Sequence, residues 1–443
     1  MNIKAKKVLV RIGLILFVII VLALGVRAVF NFTTGKKLQA YLEKAKSEGM
    51  VISLKDLAPS CDDSDNAALL WKAAEALFIT PDTEDKTLLN QTIENFFSGR
   101  PLQEESRAKL APLIERNRKV LDLIVEAAGR PCFRYGDWKK RPYSIEPSNA
   151  VKMIIATKLL GIDAVLRAEA GQVQAGLEQL RQGMQFIRKT MDEPLLINNL
   201  VALSNIKSLL NCFGQISKER EMDSAILSAW IKELDTEAWR TKFWRCVETE
   251  RALSLETGLG MVNGDKDILR AEARGHRLFY WLIRPIQKLQ IIWVQDQFME
   301  SKKIANMPYY PIKALTKEKQ YMRESTPWYY RLSGLLLVDF RSVFLKEATL
   351  EAMMLATKAG LACKIYKNEI GHYPENLNVL VPELMDTVPI DPFTGKPLIC
   401  RLQDGGVLIY SVGSNEKDDE GRGTYQITQL VMEKDDDWAW EEK

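Results

Sequence analysis

The amino-acid sequence predicts a mostly α-helical protein: an N-terminal transmembrane helix, a large body of antiparallel helical hairpins, and a small C-terminal α+β module with a three-stranded antiparallel sheet. Three observations support this fold class. A long apolar segment follows a lysine-rich start, helical periodicity then dominates as far as about Gln320, and short β-type segments follow a last long helix. The corresponding regions are 1–30, 31–330, 331–431 and an acidic tail, 432–443.

The first region has the length of a membrane-spanning helix. Residues from Val8 to Phe30 are apolar apart from Arg11 and Arg27. A helix of this length spans about 34 Å, against about 30 Å for the hydrocarbon core of a bilayer. The two arginines lie near its ends, where their long side chains can reach the headgroups. The segment is therefore predicted to be a membrane anchor.

We expect the anchor to be retained and its N-terminus to stay in the cytoplasm. The uninterrupted apolar core, 12–26, would also suit a signal peptide, but the sequence around Arg27 is a poor cleavage site because arginine is neither small nor apolar. More cations precede the span than follow it, Lys4, Lys6, Lys7 and Arg11 against Arg27, Lys36 and Lys37. The positive-inside bias then places the body outside the cytoplasm.

Charge and cysteine content narrow the classes of function. Basic and acidic residues nearly balance, 61 against 58, and no basic block with interleaved aromatic residues occurs, so no nucleic-acid partner is expected. The six cysteines lack C-x-x-C spacing, which argues against structural zinc, and a fold of this size does not depend on disulfides. Cys363 and Cys400 could bridge in an oxidising compartment, but two buried free thiols are favoured.

Helical periodicity is clearest in the middle of the body. Helices are predicted over 151–170, 173–191 and 194–212, with a tight link at Gly171 between the first two. The segment 38–48 is predicted to continue the anchor outward as an amphipathic helix. We expect an irregular stack of antiparallel helical hairpins, a class that offers grooves for peptides or partner helices.

The stretch Ala-Glu-Ala-Gly-Gln-Val-Gln-Ala-Gly-Leu at 168–177 resembles the turn between the two helices of a tetratricopeptide repeat. In such repeats a small residue and a glycine end one helix, and an Ala-x-x-x-Leu face starts the next. One convincing unit occurs, and a period of about 34 residues does not extend across 65–241. The body is therefore similar to bacterial envelope proteins that carry a tetratricopeptide-like helical region.

The C-terminal region carries short motifs in a fixed order. A helix runs to Gly371 and is followed by His-Tyr-Pro at 372–374, Leu-Val-Pro at 380–382, Asp-Pro-Phe-Thr-Gly-Lys-Pro at 391–397, Tyr-Ser-Val-Gly at 410–413 and an acidic loop. This order resembles the C-terminal half of the major pseudopilin of bacterial type II secretion systems, over about sixty residues. The resemblance implies a protein of the bacterial inner membrane with a periplasmic body, and a small sheet packed on the preceding helix.

The N-terminal end departs from the pseudopilin pattern. A prepilin carries Gly-Phe-Thr-Leu-x-Glu at the start of its apolar helix, whereas Gly13 is followed here by Leu-Ile-Leu-Phe-Val, with no acidic residue in the fifth place. In a filament that glutamate neutralises the processed N-terminus of the neighbouring subunit. Its absence argues against prepilin processing and filament assembly.

Within the module, one helix is predicted over 332–367, and Gly371 is expected to end it in the left-handed conformation. A stripe of small residues on this helix is expected to lie under the sheet, Ala348, Ala352, Leu355, Ala359 and Ala362. Pro374 is expected to begin a short helix, a turn is expected at 391–395, and strands are expected at 398–402, 407–411 and 424–430. The tail 432–443 should fray unless its tryptophans dock.

The acidic loop is a candidate calcium site. The pseudopilins that the module resembles hold a calcium ion at this point, with carboxylate and backbone oxygens. Here residues 414–421 offer four carboxylates and an amide, and the candidate ligands are Asn415, Asp418, Asp419 and Glu420. Lys417 intrudes and the spacing is not that of an EF-hand, so a solvated acidic turn is the alternative.

Few residues suggest catalysis. Glu248, Glu250 and Glu256 could act as acid and base, but the neighbouring arginines favour a solvated or salt-bridged face. His276 and His372 are too few for a tri-histidine metal site, and His372 is explained by its place in a turn. The chain has no H-E-x-x-H motif, nucleophile elbow or phosphate loop.

The most apolar stretch outside the anchor lies at 278–286 and 291–294. Neither half is long enough to span a bilayer. The stretch could lie in the membrane interface with its tryptophans at headgroup level. Burial against the rest of the helical body is the favoured alternative.

Taken with these observations, the resemblances predict an integral membrane protein of the envelope that acts as a non-enzymatic interaction or assembly factor, linked to type II secretion or pilus-like machinery. The expected partners are the membrane and an unidentified protein. A membrane-bound hydrolase with a site in the helical body is one alternative, and an atypical pseudopilin component is another. A large pocket that joins Glu248 or Glu250 to His276 would favour the enzyme. A smooth groove lined by apolar and arginine residues would favour binding.

Overall fold

The computed structural model describes residues 3–97, 100–140, 144–217, 220–265, 277–305, 307, 309–310, 340–403, 405–421 and 438–442. Within these residues the chain forms twelve α-helices and one three-stranded antiparallel sheet, which confirms the predicted fold class. The helices are α1 Ile3–Ser47, α2 Ala67–Leu77, α3 Thr83–Phe97, α4 Glu104–Arg116, α5 Arg118–Ala128, α6 Ala150–Glu169, α7 Val173–Thr190, α8 Leu196–Ser217, α9 Ser224–Glu233, α10 Glu237–Asn263, α11 Arg277–Ala305 and α12 Phe340–Ile370. The strands are β1 Ile399–Gln403, β2 Gly406–Ser411 and β3 Trp438–Glu442.

Helix α1 joins the predicted anchor to the body without a break. It is 45 residues long, and among the described residues it is the one helix that is long and apolar enough to cross a membrane. The large apolar side chains between Ile12 and Val29 are exposed, whereas Leu38 and Ala45 are buried against the body. The amphipathic segment predicted at 38–48 is therefore the outer part of the same helix.

Helices α5, α6 and α7 are joined through one buried carboxylate. Asp163 of α6 accepts hydrogen bonds from Arg118 of α5, at 2.6 Å, and from Gln179 of α7, at 2.9 Å. In the turn between α6 and α7, Gly171 takes a φ of 86°, which confirms the tight link. Gly176 lies so close to α6 that a Cβ there would be 2.5 Å from a backbone carbonyl oxygen. The two helices thus pack as an antiparallel hairpin.

Helices α10 and α11 form a second antiparallel hairpin, which packs against α1. Arg251 of α10 is buried, where it forms an ion pair with Glu248 at 2.6 Å and donates to Gln295 of α11 at 2.9 Å. Leu38 of α1 and Ile291 of α11 belong to one apolar cluster with residues of α10. The outer half of α1 is therefore one member of a three-helix bundle.

A disulfide bond joins Cys61 to Cys132, which are 71 positions apart. It links the segment before α2 to the segment after α5, beside a backbone bridge between Asn66 and Cys132. The sequence did not predict this pair. Cys363 and Cys400 carry free thiols, as favoured, but Cys363 is buried and Cys400 is only partly buried.

The sheet packs on one side of α12. Ala348, Ala352, Ala359 and Ala362 of the predicted stripe are buried, and a Cβ at Gly360 would overlap the indole ring of Trp440 in β3. Strand β2 is central and fully buried, with β1 and β3 as its antiparallel neighbours. The buried residues of α12 also belong to the same core cluster as those of α6, α7 and α8. The module and the body therefore share a core.

Strand β3 lies in the segment that the sequence analysis assigned to an acidic tail. Residues Trp438–Glu442, assigned to a tail that frays unless its tryptophans dock, form β3 along β2. Trp440 is buried, which explains why this end of the chain is ordered. The strand predicted at 424–430 and the helix start predicted at 332–339 lie outside the described residues.

The segment after α12 follows the prediction at its turns and departs from it at Pro374. Gly371 has a φ of 93° and its amide donates to the Lys367 carbonyl at 2.8 Å, as expected for a left-handed helix end. The short helix that follows is a 3-10 helix at Leu377–Leu380, and Asn376 caps it, so Pro374 does not begin it. Asn376 marks the start of this helix because its side-chain oxygen accepts a hydrogen bond from the Asn378 amide.

The turn at 391–395 is confirmed, and a buried carboxylate holds it. Asp391 accepts from the Phe393 amide at 2.8 Å, from the Ser411 hydroxyl at 3.0 Å and from the Val412 amide at 3.1 Å. Asp391 is 3% exposed. It thereby ties the start of the sheet to the end of β2.

We expect Ala359→Glu to destabilise the whole chain, because position 359 is fully buried between α12 and its neighbours. An unpaired buried charge costs about 3–5 kcal/mol, so the melting temperature in detergent should fall sharply. Lys346→Glu, at an exposed position of the same helix, is the matched control and should leave the melting temperature close to that of the wild type. An unchanged melting temperature for Ala359→Glu would show that the described packing of α12 is wrong.

Candidate functional site

A groove opens beside the turn between α6 and α7. Its volume is about 370 Å³, at the lower end of the range of about 300–1,000 Å³ for small-ligand pockets. Its walls are the start of α7 and the segment that leads into α9. The lining residues are Val173, Gln174, Leu177, Arg220, Glu221, Met222, Asp223 and Ile226.

The shape of this groove is fixed by hydrogen bonds of its second wall. Asp223 caps α9 by accepting from the Ala225 amide at 2.7 Å. The Met222 carbonyl accepts from Asn368 of α12 at 3.2 Å. Arg220 donates to the last turn of α8, at the Ile216 carbonyl, at 3.2 Å. The wall is therefore attached to three helices of the body and module.

The groove has an apolar floor and a charged rim. Leu177 and Met222 form a buried apolar floor, and Val173 and Ile226 are half-buried at its sides. Charged residues, Arg220, Glu221 and Asp223, lie along the rim. None of the lining residues that the structure describes is a histidine, serine or cysteine. The lining thus combines apolar residues and one arginine with two carboxylates and an amide.

A second cluster contains two carboxylates in an apolar setting. Glu347 and Glu351 lie four positions apart on α12, so they share one face of the helix, and Arg240 of α10 forms an ion pair with Glu351. They line a cavity together with Phe243, Met354 and other side chains. The cavity volume is about 20 Å³, which is room for about one water molecule.

Burial controls the charge of these two carboxyl groups. Burial, and then the neighbouring Glu351, raise the pKa of Glu347 well above its usual range, and Arg240 opposes this shift. Burial also raises the pKa of Glu351. Raised carboxyl pKa values are typical of general acids, but a cavity of this size holds no substrate.

The three glutamates that the sequence singled out do not share a site. Glu248 is buried in its ion pair with Arg251, which is the salt-bridged arrangement that was favoured. Glu250 accepts from the Leu196 amide at 3.3 Å, and Glu256 accepts from the Leu54 amide at 2.7 Å. Each carboxylate therefore holds a different backbone or side-chain partner.

Of the two histidines, the structure describes His372. His372 has its Nδ1 2.9 Å from the Tyr373 carbonyl oxygen, and its ring packs edge-on against Tyr366. It therefore belongs to the turn after α12, as expected. His276 lies outside the described residues.

The predicted calcium ligands have protein partners. Asp418 accepts from the Tyr410 hydroxyl at 2.8 Å and from Arg401 at 2.6 Å. The Tyr410 hydrogen bond, followed by that of the Glu420 amide and by the charge of Arg401, holds the pKa of Asp418 below its usual range. Asn415 donates to Asp419 at 2.8 Å.

Glu420 is the fourth predicted ligand. It has a left-handed φ of 62°, and its amide donates to Asp418 at 2.9 Å. Across the described residues, no group of three or more histidine, cysteine, aspartate or glutamate side chains is placed to hold a metal ion. Calcium binding by this loop stays a prediction.

We expect Glu347→Gln to stabilise the protein at alkaline pH and to change little at acidic pH. The folded chain keeps the Glu347 proton where the unfolded chain, with a carboxyl pKa near 4.5, has lost it. The retained proton stabilises the folded chain. This stabilisation is fully present below about pH 4.5, the pKa in the unfolded chain, and it is lost as the pH rises through the higher pKa in the folded chain. Glutamine removes the titration, so the melting temperature at pH 8 should rise by about 2 °C or more.

The measurement is a pair of melting curves, at pH 8 and near pH 4.5. Glu369→Gln, at an exposed position of the same helix, is the control and should leave both curves unchanged. A lower melting temperature for Glu347→Gln at pH 8 would mean that the charged carboxylate stabilises the fold, through Arg240.

The chain was compared with known proteins in three ways. No protein-family model matches it, no curated protein matches it, and no solved structure matches it. The resemblances to a pseudopilin and to a tetratricopeptide repeat therefore rest on the motifs quoted above and stay predictions.

Proposed function

We propose that the protein is an envelope factor, anchored in the bacterial inner membrane by α1, that holds or assembles a protein partner without catalysing a reaction. Its N-terminus lies in the cytoplasm and its body in the periplasm. The groove lined by Val173, Leu177, Met222 and Ile226 carries this proposal, because its volume and its apolar floor suit a few side chains of a partner segment. The motifs that resemble a pseudopilin support a link to type II secretion or pilus-like machinery.

Two further observations support an exported body. The disulfide between Cys61 and Cys132 suits an oxidising compartment, since cytosolic thiols are kept reduced. Helix α1 begins with a lysine-rich segment, and its apolar part is exposed along its length. A span that ends near Arg27 then leads directly into the three-helix bundle with α10 and α11.

The groove suits a peptide or helix with apolar anchors and a basic neighbour. Its floor is apolar, and its rim carries two carboxylates, Glu221 and Asp223, against one cation, Arg220. A partner segment in this groove would bury apolar side chains against Leu177 and Met222. Docking into a helical groove of this kind is a common mode of peptide recognition.

The alternatives find less support. A hydrolase needs a substrate-sized site with an acid and a base, and the cavity beside Glu347 and Glu351 has a volume of only about 20 Å³. An atypical pseudopilin would share the module of α12 and the sheet, but Gly13 lacks the acidic residue that follows it in a prepilin. Binding in the groove is therefore the better-supported function.

The topology predicts where a reporter works. An enzyme that is active only in the cytoplasm should be inactive when it is fused after Lys443, because the body is exported. The same enzyme fused before Met1 is the control and should be active. Full activity of the fusion after Lys443 would reverse the proposed orientation, and peptide mapping of 1–27 in the mature protein would show whether the anchor is retained.

The groove predicts a site-specific cross-link. A photoreactive amino acid at Gln174, which is exposed beside the groove, should form an adduct with one envelope protein, whereas the same residue at Asp122, exposed on α5, should not. Ile226→Ser removes apolar contact from the groove and should weaken the adduct about tenfold, the effect of about 1.4 kcal/mol. Equal adducts at the two positions, or an adduct that survives Ile226→Ser, would argue against the groove.

A further inference from the structure

Helix α11 runs parallel to α1 from the end of the predicted span outward. The Arg27 guanidinium carbon lies 3.2 Å from the centre of the Trp281 ring, and Arg27 also donates to the Trp281 carbonyl. Farther along, Lys288 donates to the side chain of Asn31 at 2.9 Å. Successive residues of α11 therefore contact successive residues of α1.

This register sets the depth of the first turn of α11. The uninterrupted apolar part of α1 ends just before Arg27, so Trp281 lies level with the end of the span. Leu278 and Phe279 precede Trp281 on a parallel helix that rises about 1.5 Å per residue, so they lie about 3–5 Å farther toward the membrane. Helices that lie in a membrane interface bury their apolar faces to a depth of about 5–10 Å.

The same turn exposes its apolar side chains. Leu278, Phe279 and Leu282, here called the apolar patch, are 69%, 55% and 48% exposed. Farther along α11, Ile291 is 7% exposed in the three-helix bundle. The burial that the sequence favoured for this stretch thus holds at Ile291 and is wrong for the patch. Exposed apolar patches at such a place mark contact with a membrane or a partner.

The surroundings of the apolar patch match the layers of a membrane surface. On α1, Val26 and Val29 beside Arg27 are also exposed. Trp281 lies at the boundary, where tryptophan is enriched in membrane proteins. A cationic band that suits anionic headgroups is formed by Arg27 at the level of Trp281 and by Arg284 and Lys288 farther toward the body.

We propose that the apolar patch of α11 enters the interface of the membrane that α1 crosses, so that the body is attached to the bilayer at two points. This rests on the proposed membrane location of α1. The occupant of the patch is lipid, because the patch lies beside the span and continues its lipid-facing surface. Insertion at this second point holds the three-helix bundle at a fixed tilt to the membrane plane.

The test places an environment-sensitive fluorophore on the full-length protein in phosphatidylethanolamine and phosphatidylglycerol vesicles. Cysteine is introduced at Phe279, at Leu16 within the span, or at Lys346, exposed on α12, in a Cys400→Ser background. Lipids brominated near the headgroup should quench the fluorescence of the probe at 279 at least about twofold more strongly than that of the probe at 346, because interfacial helices bury their apolar faces at that depth. Lipids brominated deep in the chains should quench the probe at 16 most strongly.

The outcomes separate the two proposals. Quenching at 16 but not at 279 leaves the anchor in the membrane and overturns the second attachment. The probe at 279 could instead be blue-shifted and quenched neither by aqueous iodide nor by brominated lipids. A second copy or another protein would then cover the patch, and this result also overturns the second attachment. No lipid quenching at 16 overturns the membrane location, and both proposals with it. Phe279 is exposed, so the substitution leaves the core intact, and circular dichroism checks this.

Discussion

Burial of α12 on two sides is the constraint on which the rest of the structure depends. One side carries the small residues Ala352, Ala359 and Gly360, so the sheet can approach until Trp440 touches the helix backbone. The other side packs on α8, α9 and α10, and polar side chains are fixed there as well. Lys364 donates to the last turn of α8 at 3.2 Å, and Asn368 holds the wall of the groove. The sheet, the groove and the carboxylate cavity are therefore all positioned by one helix.

The second organising contact lies between α1 and the α10–α11 hairpin. Because α1 continues from the predicted span into the three-helix bundle without a break, a force on the anchor passes directly to the body. Arg251 of α10 donates to Gln295 of α11 and to the Val51 carbonyl just after α1, and its ion pair with Glu248 on its own helix compensates the buried charge. The predicted anchor and the body thus share one continuous helix.

Local patterns predicted local structure well and tertiary structure poorly. Helical periodicity predicted α6 to α8, glycine chemistry predicted the turns at Gly171 and Gly371, and the turn motif at 391–395 predicted the strands β1 and β2 that follow it. The Cys61–Cys132 bridge was missed because cysteine positions alone carry no pairing information. Strand β3 at Trp438–Glu442 was not predicted, because the burial of Trp440 depends on a helix far away in sequence. A groove was expected from the class of fold, but its location was not predicted. Val173 and Met222 come together only because α7 packs against the segment before α9.

The contact between Trp440 and Gly360 has a consequence for how the chain matures. Strand β3 follows α12 and β2 in the chain, so β2 and one face of α12 are synthesised before their cover arrives. Until then Phe213, whose ring centre lies 6.1 Å from that of Trp440 in the folded chain, lacks one of its neighbours. A chain cut short before β3 would keep an apolar surface open to proteases and chaperones. Burial of this part of the core therefore waits until synthesis has passed Trp440.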